Sequence, residues 1–424
     1  MLNRLKTIVN EYPRTFWIVI LGMFIDKLGG MLVFPFFGLY ITSKYNVGMT
    51  EVGLLFTIFA VTGVFGSLIG GALTDKFGRK VIIIFGLAIS AISSLMLAFA
   101  PNLNFIYLAG FIVGLFGNVA GPAHQAMIAD ILPEDKRTDG FGILRVIANL
   151  AVVIGPAIGG LLAARSYTLL FMIDIVTSLI TAVIIFLLVP ETKPVTTSDP
   201  GEKTQADQTI LETLAGYLKV TKDQIYLIFI FGSLLMVLAY MQMNTTLSVF
   251  LRDDHGIPER GYGLLLSLNA SMVVLFQFWI SRKIKRFAPM KVMTWGMVIY
   301  AVGFSMYGFV SSIPLFILAM VIITIAEMLV SPVGQAVVAK LSPEDMRGRY
   351  MAVYGFSWTI PTAFGPLAAG FIMDNYNSNW VWYACGIIML LSASIFAWLQ
   401  LKASDRFASI NGDKTSLEPE GLPG

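Results

Sequence analysis

Charged residues, cysteine and histidine are all scarce in this sequence. Of its 424 residues, 13% are charged and 56% are hydrophobic, with two histidines and one cysteine, Cys385. So little charge excludes an ordinary soluble domain. One cysteine excludes an intramolecular disulfide and a thiolate metal cluster, and the absence of a GxxxxGK[ST] loop argues against ATP as the direct energy source. We expect no metal and no cofactor.

Long apolar runs are what the sequence has in abundance. About 20 mostly apolar residues suffice for a helix to cross roughly 30 Å of hydrocarbon. This predicts an all-α integral membrane protein with twelve transmembrane helices. The predicted spans 1 to 12 cover residues 15 to 43, 50 to 74, 80 to 101, 103 to 131, 139 to 165, 168 to 190, 224 to 251, 259 to 281, 290 to 311, 313 to 341, 348 to 374 and 378 to 401.

The basic residues sort by side of the membrane. With a cytoplasmic N-terminus, cytoplasmic segments hold 24 of the 29 Lys and Arg residues, which is the positive-inside pattern. Both termini are therefore predicted to lie in the cytoplasm, in a multi-pass protein of the cell membrane. The first apolar run has no small-residue cleavage site, so we interpret it as a retained span. This distribution explains the net charge of +3, so we predict no nucleic-acid partner.

The longest polar break divides six spans from six. We predict an N-terminal bundle over 1–190, a cytoplasmic linker over 191–223, a C-terminal bundle over 224–401 and a cytoplasmic tail over 402–424.

A shift of 210 residues aligns the two halves with each other. Matched positions include Gly53 with Gly263, and the run Pro133, Glu134, Asp135, Arg137 with Pro343, Glu344, Asp345, Arg347. In span 5, Gly155, Pro156 and Gly160 match Gly365, Pro366 and Gly370. Two pseudo-symmetric six-helix bundles around a midplane site are typical of transporters that work by alternating access.

The loop between spans 2 and 3 carries a recognisable motif, which reads Gly71, Ala72, Leu73, Thr74, Asp75, Lys76, Phe77, Gly78, Arg79, Lys80. It resembles the signature loop of the major facilitator superfamily. The resemblance implies a conformational latch in which Asp75 faces the start of span 11 and Arg79 pairs with Asp130, with Gly71, Gly78 and Lys80 completing the motif. Glycine permits close helix approach and tight turns, and an acid is stabilised at a helix N-terminus.

Span 5 contains a second motif, made of Gly155, Pro156, Ala157, Ile158, Gly159 and Gly160. It resembles the antiporter motif of the twelve-span drug:proton antiporter branch, although Ala151 stands where the pattern usually has glycine. A generic proline kink is the alternative interpretation. A third element departs from the family, since Gly110 occupies the place of an arginine in span 4. Arg145, early in span 5, is the candidate substitute for it from another helix.

Two acids are predicted to lie near the bilayer centre. Asp26 is in span 1 and Glu327 in span 10, and such charges normally face a cavity and mark a transport pathway. We predict that one of them exchanges a proton for a solute. The alternative is a permanent ion pair of either acid with Lys27. Other candidate cavity residues are Asn149, Tyr240, Gln242 and Trp358. Asp174 is interpreted as an anchor for the outer end of span 6.

These features predict a monomeric secondary transporter that exports lipophilic or cationic small molecules in exchange for protons. Its partners would be that solute, protons and membrane lipids. A sugar or metabolite transporter and a non-transporting membrane sensor on the same fold are the alternatives. No paired catalytic acids, activated nucleophile or metal ligands can be assembled from local motifs, so an enzyme is not predicted.

Overall fold

The computed structural model describes residues 11–193, 219–343, 346–403 and 406–407. Most of the predicted linker, 194–218, and of the predicted tail, 408–424, lies outside the described residues. The same holds for Glu344 and Asp345 of the internal repeat and for the side chains of Asp135 and Arg347.

The described residues form helices and no strand. Inside a bilayer a helix satisfies its own backbone hydrogen bonds, which is why apolar runs of this length become helical. The predicted all-α membrane fold is confirmed. Spans 1 to 6 are Arg14–Tyr45, Met49–Phe77, Arg79–Ala98, Leu103–Ile131, Glu134–Ala163 and Tyr167–Leu188. Spans 7 to 12 are Gln224–Asp253, Glu259–Ile284, Pro289–Phe309, Ile313–Leu341, Arg347–Asn375 and Asn379–Lys402.

Eleven of these helices in the described chain are long and apolar enough to cross a membrane. Span 11 is the twelfth, a helix of 29 residues whose many polar and aromatic side chains make it less apolar than the others. Its bounds agree with the predicted 348 to 374, so twelve membrane helices remain the consistent count.

Three spans are broken along their length. Span 1 passes through a 3-10 turn at Phe34–Phe36, where Pro35 cannot donate to an α-helical ladder. Span 4 is interrupted between Gly117 and Ala120, and span 7 consists of Gln224–Tyr240, Gln242–Thr245 and Leu247–Asp253. Broken helices at membrane depth occur where backbone is buried in protein or lines a cavity.

The chain forms two compact units, each with its own packing. The first comprises the described parts of Met1–Glu202 together with Gln242–Ala270 and Thr362–Tyr376. One hydrophobic core of this unit lies between spans 1, 3, 4 and 6, around Phe16, Ile83 and Ile128. The second comprises the described parts of Lys203–Met241, Ser271–Pro361 and Asn377–Gly424, where span 9 packs against spans 10 and 12.

Within the first unit, the glycines of the repeat lie at two helix crossings. A Cβ on Gly53 would meet Leu367 Cα at 2.3 Å, and one on Gly370 would meet Met49 O at 2.2 Å, so spans 2 and 11 touch backbone to backbone. A Cβ on Gly263 would meet Pro156 O at 2.6 Å, and one on Gly160 would meet Glu259 O at 3.0 Å. The repeat therefore places equivalent glycines at the crossing of spans 2 and 11 and at that of spans 8 and 5.

Candidate functional site

The second unit contains a cavity with Glu327 in its wall. The cavity encloses about 500 Å³, including the part open to solvent. Tyr240 Oη donates to Glu327 Oε1 at 3.1 Å, which orients the carboxylate. Its remaining lining is largely aromatic or methionine side chains, with a few small polar residues: Met236, Met293, Tyr300, Tyr354, Trp358, Ser233, Ser331 and Gln335.

The rings around Glu327 pack edge to face. Tyr240 and Tyr300 have ring centroids 6.3 Å apart, and Tyr240 and Trp358 have centroids 6.4 Å apart. Aromatic faces attract cations, and methionine adapts to ligands of different shape. One carboxylate surrounded by such groups is suited to a lipophilic cation. The sequence named Glu327, Tyr240 and Trp358, and the structure brings all three together.

The first unit contains a larger and more polar cavity. It encloses about 1100 Å³, including open space. Asp26 and Lys27 both line it, together with Ser90, Asn118, His124 and Gln125. Ser178 Oγ donates to Asp26 Oδ1 at 3.0 Å, and the described residues contain no salt bridge between Asp26 and Lys27. The predicted acid therefore faces a cavity and not a permanent ion pair in this conformation.

Three other predicted cavity residues lie elsewhere. Arg145 and Asn149 are on exposed faces of span 5, while neighbouring Leu144, Ile147 and Ala148 line the cavity of Asp26. Gln242 is buried and accepts a hydrogen bond from Thr246 Oγ1 at 2.7 Å, which supports the break in span 7. None of these three is in the lining of either cavity described above.

Gly110, which occupies the place of the family arginine in span 4, packs against span 2. A Cβ on Gly110 would lie 3.1 Å from Phe59 and 3.3 Å from Leu55 of span 2. This position faces another helix at close range, so it leaves little room for a long side chain.

The loop between spans 2 and 3 forms part of the predicted latch. Arg79 Nε lies 2.9 Å from Asp130 Oδ2, which is the ion pair implied by the resemblance. Arg79 Nη1 is also 3.7 Å from Asp75, whose side chain is 81% exposed.

The remaining residues of the motif loop have different surroundings. Gly78 adopts φ +97°, a conformation that favours glycine. Lys80 Nζ donates to Phe186 O at 2.8 Å, and Gly71 has open space around it. The contact of Asp75 with span 11 stays a prediction.

Glu191 contacts the motif loop, and the sequence did not reveal this contact. Its carboxylate accepts from Arg79 N at 2.8 Å and Lys80 N at 3.1 Å, so it caps the start of span 3 from the end of span 6. Desolvation by burial opposes its ionisation, but hydrogen bonds from the backbone N–H groups of Lys193, Arg79, Thr192 and Lys80 lower its pKa overall. The signal in the sequence was an acid directly after Pro190 at the end of an apolar run.

Replacing Glu191 with alanine should lower stability by about 1 kcal/mol, since two N–H donors at a helix start lose their acceptor. Because the pKa of Glu191 is lower in the folded protein than in the unfolded chain, the ionised carboxylate stabilises the folded protein at pH values above the unfolded pKa. This stabilisation is lost as the pH falls through the folded pKa. The difference in melting temperature between wild type and Glu191→Ala in detergent should therefore shrink below about pH 4. The exposed Glu134, replaced by alanine, is the control. Equal melting temperatures at pH 7 for wild type and Glu191→Ala contradict the prediction.

The glycines of the second motif face two different helices. A Cβ on Gly155 would lie 2.5 Å from Met31 Cβ, and one on Gly159 would lie 2.8 Å from Leu32 O, so both pack against span 1. Gly160 faces span 8, and Pro156 lies inside the helix Glu134–Ala163. The motif thus allows span 5 to approach span 1 and span 8 closely.

Sequence comparison identifies the family. The sequence model of the Major Facilitator Superfamily matches residues 19–262 and 229–419. The chain belongs to the major facilitator superfamily. Among its curated relatives, a Na(+), Li(+), K(+)/H(+) antiporter of Planococcus maritimus is 26% identical over 416 residues, covering 92% of this chain and 97% of the relative. The quinolone resistance protein NorA of Staphylococcus aureus is 24% identical, covering 88% and 93%.

Solved structures support the fold of this major facilitator. The nucleoside transporter NupG superposes with a TM-score of 0.75 at 17% identity, covering 91% of this chain and all of that one. This likeness concerns the fold alone. The predicted family and fold class are confirmed, and the protein is a multi-pass membrane transporter of the superfamily with a small-molecule substrate.

Proposed function

We propose that this major facilitator exports lipophilic or cationic small molecules in exchange for protons. It works as a monomer among membrane lipids in the cell membrane, with both termini cytoplasmic, and as a transporter and not an enzyme. The cytoplasmic placement rests on the distribution of Lys and Arg. The linker and the motif loop, including Asp75, Gly71 and Lys80, then lie on the cytoplasmic side.

The observation that carries this proposal is the cavity around Glu327. An organic cation would gain Coulomb attraction from the carboxylate and from the faces of Tyr240, Tyr300 and Trp358. Apolar surface on the solute would pack against Met236 and Met293. A neutral sugar would gain no Coulomb attraction from the carboxylate.

Proton exchange follows from the chemistry of the same carboxylate. An ionised Glu327 attracts a cation, whereas a protonated Glu327 does not, so proton and solute compete for one group. Asp26 supplies a second acid in the cavity of the first unit. One pH unit is worth about 1.4 kcal/mol, or a tenfold accumulation for one proton per solute.

Transport in proteoliposomes tests the proposal. With the membrane potential clamped by K⁺ and valinomycin, vesicles that are acidic inside should accumulate tetraphenylphosphonium about tenfold per pH unit. Glu327→Gln should accumulate no more of the cation than protein-free vesicles do, because the carboxylate can no longer exchange a proton for the cation. Protein-free vesicles and Glu134→Gln, the same chemical change at an exposed site, are the controls.

Two outcomes would count against the proposal. A folded wild type that moves none of a panel of organic cations removes cation export. Full gradient-driven accumulation by Glu327→Gln removes the assigned role of Glu327.

A second candidate function is exchange of alkali cations for protons. It is favoured by the Planococcus relative, whose name describes a Na(+), Li(+), K(+)/H(+) antiporter, and by the carboxylate and hydroxyl oxygens around Asp26. Adding each salt to acid-loaded vesicles that contain a pH-sensitive dye distinguishes the two. Dye recovery with Na⁺ or K⁺, and none with organic cations, favours the second candidate.

A further inference from the structure

Asp174 is a buried carboxylate that neither motif explains. It lies seven residues into span 6, its exposed fraction is 7%, and no described cationic group lies within salt-bridge distance of it. It lies inside the helix and not at its end, so it does not cap span 6. An unpaired charge costs far more to bury than a neutral acid, so this position is better suited to a proton carrier than to a fixed charge.

Spans 3 and 6 present polar side chains to each other at one-turn spacing. Ser94 Oγ donates to Asp174 Oδ2 at 2.5 Å. Four residues away on each helix, Ser178 Oγ lies 3.3 Å from Ser90 Oγ. Residues four apart lie on one helix face, so these two contacts form successive rungs, about 5 to 6 Å apart. We call these four residues, Ser90, Ser94, Asp174 and Ser178, the polar ladder.

Span 1 packs against the polar ladder between spans 3 and 6. Ser178 Oγ donates to Asp26 Oδ1 at 3.0 Å. One turn further along span 1, a Cβ on Gly29 would lie 2.1 Å from Thr177 Oγ1 and 2.7 Å from Asp174 Oδ1. Gly29 therefore leaves the space that the side chains of Thr177 and Asp174 occupy. Asp26 is the charged side chain that faces the ladder from span 1, and Lys27 and His124 border Asp26 in the cavity.

The two acids lie at different depths. Asp174 is about 10 Å from the start of span 6, the end that the basic residues assign to the outside. Asp26 is about 18 Å from the start of span 1, near the midplane, and it reaches the cavity. The polar ladder thus joins an acid near the outer side with an acid in the cavity.

We propose that Asp174 is a second proton-carrying residue, which passes protons between the outer side and Asp26 along the polar ladder. The neutral Asp174 carboxyl group releases its proton, each hydroxyl accepts one proton and donates its own, and a water molecule bridges the two rungs. Asp26 ends protonated and Asp174 ionised until a proton from outside restores it. This inference rests on the proposed proton coupling.

Two assays on the same proteoliposomes test it. Gradient-driven accumulation of tetraphenylphosphonium requires proton transfer, whereas counterflow of labelled against unlabelled cation at equal pH requires none. In Asp174→Asn, accumulation should fall at least tenfold further than counterflow. Asp174→Glu should restore part of the accumulation with an altered pH profile. Ser93→Ala, a change at a buried serine next to the polar ladder, is the matched control and should behave as wild type in both assays.

Each remaining outcome overturns the inference in a distinct way. If accumulation in Asp174→Asn equals wild type, Asp174 carries no proton. If accumulation and counterflow fall together and Asp174→Glu restores neither, the role of Asp174 is structural. If wild type itself shows counterflow without gradient-driven accumulation, proton coupling is absent, and the proposed function fails together with this inference.

Discussion

Alanine at Gly53 is expected to reduce transport more than a hundredfold. The added Cβ would lie 2.3 Å from Leu367 Cα and 2.5 Å from Leu367 N, and backbone atoms have no rotamer by which to move away. Gly370→Ala should act alike, since its Cβ would lie 2.2 Å from Met49 O. Overpacking typically costs about 1 to 3 kcal/mol where side chains can adjust. We therefore expect the added methyl group to destabilise the crossing of spans 2 and 11 by at least about 3 kcal/mol.

The equivalent crossing of spans 5 and 8 should tolerate alanine substitutions better than the crossing of spans 2 and 11. The Cβ of Gly263→Ala would lie 2.6 Å from Pro156 O, and that of Gly160→Ala 3.0 Å from Glu259 O. The loss of transport should therefore decrease from Gly53 and Gly370 through Gly263 to Gly160. Gly355→Ala is the matched control on span 11, because its Cβ would meet nothing within 4 Å.

Transport rates and hydrogen–deuterium exchange check this ranking together. Exchange in peptides that cover residues 46–55 and 366–376 should increase in Gly53→Ala and stay unchanged in Gly355→Ala, because exchange reports local opening. Wild-type transport by both Gly53→Ala and Gly370→Ala would show that alternating access does not require this crossing.

The positions of the helices could be predicted from the sequence, because length and apolar composition decide whether a helix can cross the hydrocarbon of a membrane. Span 9 was predicted over 290 to 311 and is Pro289–Phe309, and span 6 was predicted over 168 to 190 and is Tyr167–Leu188. Span 5 begins earlier than predicted, at Glu134, since the polar turn before the apolar run continues the helix. The breaks in spans 1, 4 and 7 were not predicted, because the sequence of an apolar run does not show where its helix is interrupted.

The glycine matches of the repeat show what sequence alone could not supply. The 210-residue shift paired Gly53 with Gly263 and Gly160 with Gly370, but each matched pair belongs to two different crossings. Which helices cross is a property of tertiary packing. A repeat reveals equivalence between positions and not contact between them.

The candidate site was only partly readable for a related reason. A soluble helix reveals its buried face by its apolar stripe, but a membrane helix is apolar on both the lipid and the protein side. Asp26 and Glu327 could be identified from the sequence because charged residues are rare inside long apolar runs. The roles of Asp174, Glu191 and Asp374 depend on partners from other spans, namely Ser94, the start of span 3 and the start of span 2.

Loss of the Asp374 carboxylate is expected to destabilise the crossing of spans 2 and 11 by about 2 kcal/mol. Asp374 Oδ1 accepts from Met49 N at 2.9 Å and Oδ2 from Thr50 N at 2.7 Å. The acid at the end of span 11 thus caps the start of span 2, where the helix dipole favours negative charge.

Asp374→Ala should therefore favour opening of this crossing about thirtyfold, since 1.4 kcal/mol corresponds to a factor of ten. Amide exchange at Met49 and Thr50 measures this directly, because these two N–H groups lose their acceptor. Asp374→Asn keeps one acceptor oxygen and should give an intermediate effect, and Asp253→Ala changes an acid elsewhere in the first unit as the control. If exchange at Met49 and Thr50 in Asp374→Ala matches wild type, the cap contributes nothing to closure, and the glycine contacts alone hold spans 2 and 11 together.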